Sequence, residues 1–199
     1  MSSHLAPARR SIRLRLYDYS QMGGYFFTIC VTGHKSILGC VFGGEMQCNR
    51  AGRAVWTAWR ELPLRFPSIT LDSFVVMPNH VHGILLLCPA VKNTGRASPA
   101  PTNALINTYG RCDSVSRGAP LAPALDEIVG AFKSLSAAAI NRALNRTGSV
   151  WQRNYYDHII RAGKDLDAIR LYIAQNPTQW KNDHENPLAR DVSAGPFGS

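Results

Sequence analysis

Residues 69–87, which read ITLDSFVVMPNHVHGILLL, decide the fold. Two apolar runs flank the short turn Pro78-Asn79, and a connection this short predicts two antiparallel strands. Successive side chains of a strand alternate between its two faces, so His80 and His82 point the same way while Val81 points into the opposite layer. Because both strands are apolar on both faces over most of their length, we expect them to be central to a sheet.

The two histidines form a candidate metal site. Two imidazoles about 7 Å apart on one face of a strand can hold a single divalent ion. A two-residue match is also common in strands that bind nothing, so a pair of partly exposed strand histidines is the alternative. A Pro-Asn turn leads into the buried strand that carries His80 and His82, so both rings are held in fixed orientations. This rigidity favours the metal site.

Composition restricts the classes of partner. The chain has 199 residues, which fits one domain, and a net charge of +9, which indicates a polyanionic partner, nucleic acid first. Its five cysteines are scattered without a C-x-x-C pair, so neither a disulfide framework nor a zinc knuckle is predicted. We find no signal peptide and no run as long as a membrane span, and expect a reduced, cytoplasmic protein that contacts no membrane.

Apolar periodicity predicts five further elements. Two are strands, a buried one rich in aromatic residues and an alternating one at the sheet edge. Three are helices, the first ended by Pro63 and the last by Pro177. The strands are predicted at 25–31 and 157–161, and the helices at 46–62, 125–144 and 165–176.

The segments without periodicity define the domain organisation. We expect a basic arm at 1–16, one domain at 17–182 with a loop insertion at 89–120, and a flexible tail at 183–199. Basic side chains on the arm and on the outer face of the helix at 125–144 can contact phosphates, although solvation is the usual role of such residues. The basic candidates for DNA contact are Arg13, Arg15, Lys133, Arg142 and Arg153. The isolated His4, His34 and His184 are interpreted as surface residues.

The last predicted helix carries two more candidates. Tyr172 and Asn176 are four residues apart, so they lie one above the other beside the apolar stripe and face the margin of the sheet. Two imidazoles and one amide oxygen leave open positions on a divalent ion, suited to polarising a phosphodiester. A tyrosine beside that ion can attack the phosphorus and hold the product covalently. The alternative is an ordinary tyrosine at a helix border and an asparagine near its end.

Six short strings in one order resemble the REP-associated tyrosine transposases, which are single-tyrosine HUH transposases (His, hydrophobic residue, His). The resemblance runs from about residue 17 to 180 and is interrupted by the insertion. The strings are DYSQ (18–21), GYFFT (24–28), MPNHVHGI (77–84), FKS (132–134), WQRNYYDHIIR (151–161) and YIAQNP (172–177).

This resemblance implies a fold and an activity. The fold is α+β, a ferredoxin-like antiparallel sheet with helices packed on one face. The activity is phosphodiester transesterification, in which single-stranded DNA is cleaved and rejoined near palindromic hairpins. His80, His82 and Asn176 would hold Mg²⁺ or Mn²⁺, and Tyr172 would form a 5′-phosphotyrosine link while a 3′-hydroxyl leaves. No small-molecule cofactor is implied, and a monomer is favoured over a homodimer.

Tyr155 and Tyr156 are rival nucleophiles, because they are paired, aromatic and close to Arg153. They precede a strand and have no ligand partner at helical spacing, so stacking on an unpaired base suits them better. Two other functions stay open: a DNA-hairpin binding protein that keeps the fold without the chemistry, and a metal phosphodiesterase acting on nucleic acid ends.

Overall fold

The computed structural model describes residues 18–88, 123–161, 163–187 and 189. Arg13, Arg15 and the whole of the predicted insertion at 89–120 lie outside these residues. Among the helices that are described, none combines the length and the apolar character needed to cross a bilayer.

The described part of the chain is an α+β fold. Four strands form a sheet in the order β4-β5-β1-β6, and each neighbouring pair is antiparallel. With one helix between β1 and β4 and another between β5 and β6, this is the predicted ferredoxin-like arrangement, and the fold class is confirmed. The strands are β1 (Gly23–Cys30), β2 (Gly39–Phe42), β3 (Glu45–Cys48), β4 (Ile69–Val76), β5 (His80–Leu87) and β6 (Tyr156–Ile160); the helices are α1 (Arg50–Arg65), α2 (Leu125–Ala143) and α3 (Gly163–Gln179).

The two faces of the sheet carry different helices. Helices α1 and α2 bury the larger core against one face, where Trp59 stacks on Phe74 with ring centroids 4.4 Å apart. Helix α3 packs its residues Leu166 and Ile173 on the opposite face. The expectation that the helices pack on one face therefore holds for α1 and α2 only. On the other face, β1 and β5 present apolar residues beside the histidines, and α3 covers these residues.

Three local expectations differ from the structure. Strand β4 lies at the edge of the sheet rather than in its centre; it is apolar on both faces because α1 contacts one face and α3 the other. Pro63 and Pro177 lie inside the last turns of α1 and α3, which continue to Arg65 and Gln179.

The predicted start of the first helix at residue 46 is also wrong. Residues 45–48 are strand β3, which pairs with β2 in a separate hairpin, and α1 begins only after its cap Asn49. The turn is Gly43-Gly44, and both residues adopt positive φ angles of 61° and 82°. A Gly-Gly pair between two short strands is a known hairpin signal, so this turn could have been predicted from the sequence.

Candidate active site

The two strand histidines lie together under the C-terminal part of the chain. His80 and His82 are 0% and 2% exposed, and their Nε2 atoms are 3.0 Å apart. Both point to the face covered by α3, as the alternation of β5 requires. The two Nε2 atoms are therefore close enough to share one ion.

Asn79 determines which nitrogen of His80 carries the proton. Its buried Nδ2 donates to the carbonyl oxygens of His34 at 3.1 Å and Glu185 at 2.6 Å, which fixes the orientation of the amide. Its Oδ1, 2.8 Å from His80 Nδ1, can only accept, so Nδ1 is the protonated nitrogen. The lone pair of His80 Nε2 then faces the site, as metal-binding histidines require.

His82 is held from strand β1. Its Nδ1 lies 2.8 Å from Thr28 Oγ1, and its ring stacks on Phe26 with centroids 5.6 Å apart. A hydroxyl can accept as well as donate, so Thr28 can accept from a protonated Nδ1 and leave Nε2 free for an ion. Thr28 and His82 are opposite each other in the register of β1 and β5.

The environment keeps both imidazoles neutral. Burial lowers the pKa of His80 to about 4, and the negative charges of Asp183 and Glu185 oppose this shift only in part. Burial, followed by the adjacent His80, holds the pKa of His82 well below its ordinary value. Neutral imidazole is the form that binds metal, so at neutral pH both rings are ready to coordinate.

Helix α3 brings Tyr172 and Asn176 to the histidines. The Tyr172 hydroxyl is 3.4 Å from His82 Nε2, although the side chain is 45% exposed at its open side. Asn176 is buried beside His80 and Tyr172, and its Oδ1 accepts no hydrogen bond of good geometry from any described residue. Burial and the charge of Asp183 raise the pKa of Tyr172, against the hydrogen bond from Asn176, so the phenol is protonated in the metal-free protein.

An ion pair fixes α3 against the edge strand. Arg170 donates from Nε and Nη2 to the two oxygens of Asp72 at 2.9 and 2.6 Å, a bidentate contact. It also reaches Asp167 on its own helix. Because Asp72 lies on β4 and Tyr172 is two residues beyond Arg170, this pair sets the position of the tyrosine relative to the sheet.

Sequence reasoning missed one ligand candidate, Asp183. Its side chain is 5% exposed, and Oδ2 is 3.9 Å from His80 Nε2. The other oxygen, Oδ1, accepts from the backbone N–H of Glu185 at 2.7 Å. We call residues 180–187 the C-terminal segment. Most of it was predicted to be part of a flexible tail, because no periodic pattern in these residues indicates that they fold back over β5.

These side chains fit a divalent cation. A buried amide oxygen without a partner and a carboxylate oxygen face two neutral imidazoles, and this mixture of oxygen and nitrogen donors suits Mn²⁺ and Mg²⁺ better than a sulfur-containing set. His80, His82 and Asp183 lie within 4.8 Å of one another through their ligand atoms. We call this group, with Asn176 and Tyr172, the histidine site.

The remaining candidates for DNA contact are spread over the molecule. Lys133 is half-buried, its pKa is lowered by burial, and its Nζ donates to the carbonyls of Gln152 and Arg153. Lys133 and Arg142 belong to α2, which packs on the face of the sheet opposite the histidines. Arg142 and Arg153 are both exposed.

The rival tyrosines separate. Tyr155 packs against the larger core under α1 and α2. Tyr156 is 42% exposed and contacts Phe26, with ring centroids 6.2 Å apart. Because Phe26 also contacts His82 and Tyr172, Tyr156 extends an aromatic surface outward from the histidine site.

Comparison with known proteins places the chain in a family. No protein-family model matches the sequence. An uncharacterized protein of Haemophilus influenzae is 36% identical over 181 residues, which cover 88% of this chain and 91% of that protein. The chain belongs to the family of that protein.

The fold of this family also occurs in a solved transposase structure. The REP-associated tyrosine transposase bound to a REP hairpin is 18% identical, with a TM-score of 0.50 over 93% of this chain and 80% of that one. At this identity the two proteins share their fold, and nothing further follows. A second structure, from Deinococcus radiodurans R1, has a TM-score of 0.41, covers 81% of this chain and 95% of its own, and carries no argument.

Proposed function

We propose that the protein is a tyrosine-dependent HUH transposase that cleaves and rejoins single-stranded DNA near palindromic hairpins. One observation carries this proposal. The Tyr172 hydroxyl lies 3.4 Å from His82 Nε2, within a site that holds a second imidazole and a buried amide oxygen. Nucleophile and ion ligands are therefore adjacent, as phosphodiester transesterification requires.

His80, His82 and Asn176 are the proposed ligands of Mg²⁺ or Mn²⁺, and Asp183 is added to them because its carboxylate faces His80. When bound, a divalent cation supplies positive charge that polarises the phosphodiester and favours the ionised phenol. Asn79 and Thr28 orient the two imidazoles from behind, and Arg170 holds α3 in place.

Tyr172 is the proposed nucleophile. Its Oη forms a bond to the phosphorus, the bond from phosphorus to the 3′-oxygen breaks, and a 5′-phosphotyrosine and a 3′-hydroxyl result. The phenolic proton leaves to solvent, which reaches the exposed side of the ring, and the leaving 3′-oxygen takes up a proton from the same solvent. Attack by the 3′-hydroxyl on the phosphotyrosine reverses these bond changes and rejoins DNA. Because tyrosine and histidines belong to one chain, the geometry favours a monomer acting in cis.

The partner is proposed to be single-stranded, hairpin-forming DNA. The net charge of +9 favours a polyanion, and the exposed ring of Tyr156, which packs on buried Phe26, offers an aromatic face on which an unpaired base can stack beside the nucleophile. Arg153 is exposed close to Tyr156 in sequence and is a candidate phosphate contact.

The test is covalent capture of DNA. Protein is incubated with a labelled single-stranded hairpin and Mn²⁺ and run on a denaturing gel. We expect a protein–DNA adduct in the wild type and none in Tyr172→Phe. Tyr155→Phe and Tyr156→Phe are matched controls that keep the adduct, although Tyr156→Phe tests only the hydroxyl and leaves stacking intact.

The alternatives give different results in the same assay. Binding without an adduct indicates a hairpin-binding protein that does not use the chemistry. Free DNA ends without an adduct indicate a phosphodiesterase. An adduct that survives in Tyr172→Phe and disappears in Tyr156→Phe would show that the nucleophile is Tyr156 of β6 and not Tyr172 of α3, which contradicts the proposal.

A further inference from the structure

A second group of metal-binding side chains lies beside the histidine site. Cys30 ends β1, His34 closes the 3-10 turn Thr32–His34, and Glu185 belongs to the C-terminal segment. A thiol sulfur, an imidazole nitrogen and a carboxylate oxygen from these residues all lie within 4.8 Å of one another. Ligands around one tetrahedral Zn²⁺ lie about 3–4 Å apart, since each is roughly 2.0–2.3 Å from the ion, so small side-chain movements would bring the three into range.

The group is held from outside. His34 Nδ1 faces Glu185 Oε2 at 2.7 Å, and its Nε2 lies 2.9 Å from the Gln152 amide. A ligand imidazole typically has its second nitrogen hydrogen-bonded in this way, and Gln152 can present its oxygen to a protonated Nε2 by rotating its amide. His34 also adopts φ 52°, a left-handed conformation unfavourable for a residue with a side chain, so its surroundings impose it. His34, interpreted from the sequence as an isolated surface residue, is thus partly exposed and has side-chain partners.

We propose that Cys30, His34 and Glu185 form a second metal site, which binds a thiophilic divalent cation of the Zn²⁺ class. We call it the cysteine site. Thiolate and imidazole are the ligands that such ions prefer, whereas the histidine site has no sulfur donor among the described residues. Three protein ligands leave one tetrahedral position for solvent. Access is open, because the side chains of His34 and Glu185 are 26% and 13% exposed, and binding releases the proton of the Cys30 thiol.

The cysteine site would tie the C-terminal segment to the sheet. The Glu185 carbonyl accepts from Asn79, and Asp183, two residues earlier, faces His80. An ion bound by Glu185 and by the end of β1 would hold both contacts in place. Cys30 and His80 are opposite each other in the register of β1 and β5, so the two sites are neighbours with separate ligands.

Cobalt substitution tests the proposal, because a Co²⁺–thiolate bond gives an intense near-ultraviolet charge-transfer band that nitrogen and oxygen ligands do not give. The full chain is freed of metal with a chelator and titrated with Co²⁺. We expect a band that reaches its plateau by two equivalents, because the histidine site can also take up Co²⁺, and that disappears when two equivalents of Zn²⁺ are added. Cys30→Ser should abolish the band, and the matched Cys88→Ser, a half-buried cysteine near Thr70, should keep it.

Further variants keep the test decisive if Cys30→Ser folds poorly. Glu185→Gln should weaken Zn²⁺ binding at least tenfold in competition with a chelating dye, and His82→Ala should leave the band unchanged. A wild type without the band, a band that persists in Cys30→Ser, or one lost in His82→Ala would each overturn the proposal. The band reports sulfur ligation alone, so its result is independent of whether Tyr172 forms an adduct with DNA.

Discussion

Replacement of Asn79 by alanine should weaken metal binding at the histidine site without touching a metal ligand. The change removes the acceptor for His80 Nδ1–H and the donors to the carbonyls of His34 and Glu185. His80 can then carry its proton on Nε2, where Asp183 Oδ2 at 3.9 Å offers an acceptor. In that tautomer Nε2 has no lone pair for an ion.

The magnitude follows from the contacts that are lost. Each buried hydrogen bond contributes about 1 kcal/mol net, so three of them predict a loss of about 3 kcal/mol in the free energy of unfolding. Loss of a partner that orients a metal ligand typically lowers affinity about 10–100-fold. The decrease in affinity is closer to tenfold if metal binding itself returns the proton of His80 to Nδ1, because part of the binding free energy is then used for that change.

Two measurements check this prediction. Calorimetric titration with Mn²⁺ gives the affinity, and long-range ¹H–¹⁵N NMR at neutral pH shows which nitrogen of His80 is protonated. Asn141→Ala is the matched control, because Asn141 donates to the Gly148 carbonyl far from the site, and its Mn²⁺ affinity should be unchanged. Affinity within twofold of the wild type in Asn79→Ala, or a proton that stays on Nδ1 of His80, would show that Asn79 does not set the tautomer.

Three further predictions concern the scaffold and pH. Gly83→Ala places a Cβ 2.6 Å from the Phe27 ring and should lower stability by about 1–3 kcal/mol in urea denaturation, whereas an unchanged midpoint would show that the sheet relaxes freely. Arg170→Met leaves buried Asp72 without its bidentate partner; we expect a loss of about 1–2 kcal/mol, limited by solvent screening, and slower single-turnover cleavage, and normal cleavage would contradict the positioning role. The metal-free protein should lose stability as pH falls from about 6.5 to about 4, because the imidazole of His80 takes up its proton at a higher pH in the unfolded chain than in the folded one. In chelator-treated samples, His80→Asn should reduce the dependence of the free energy of unfolding on pH over this range. An unchanged dependence would contradict the low pKa of His80.

The sequence predicted the parts of the site that follow a simple period. The alternation of β5 brought His80 and His82 to one face, and the spacing of four brought Tyr172 and Asn176 to one flank of α3. Both inferences needed only local geometry. The two pairs come together because α3 covers the face of the sheet to which the histidines point. The expectation that the helices pack on one face did not include this second, covered face.

The contacts made by the C-terminal segment were not predictable from pattern. Asp183 and Glu185 follow Pro177 in a polar stretch without periodicity, and their places depend on tertiary hydrogen bonds to Asn79 and on the Asp183–Glu185 turn. His34 is a similar case, because its partners Gln152 and Glu185 come from two distant parts of the chain.

The central claim is that Tyr172 is the residue that becomes linked to DNA. The most direct measurement is mass spectrometry of the protease-digested adduct formed with hairpin DNA and Mn²⁺. We expect a single nucleotide-bearing peptide that contains Tyr172, with the DNA attached through its 5′-phosphate. Attachment at Tyr155 or Tyr156, or through a 3′-phosphate, would contradict it.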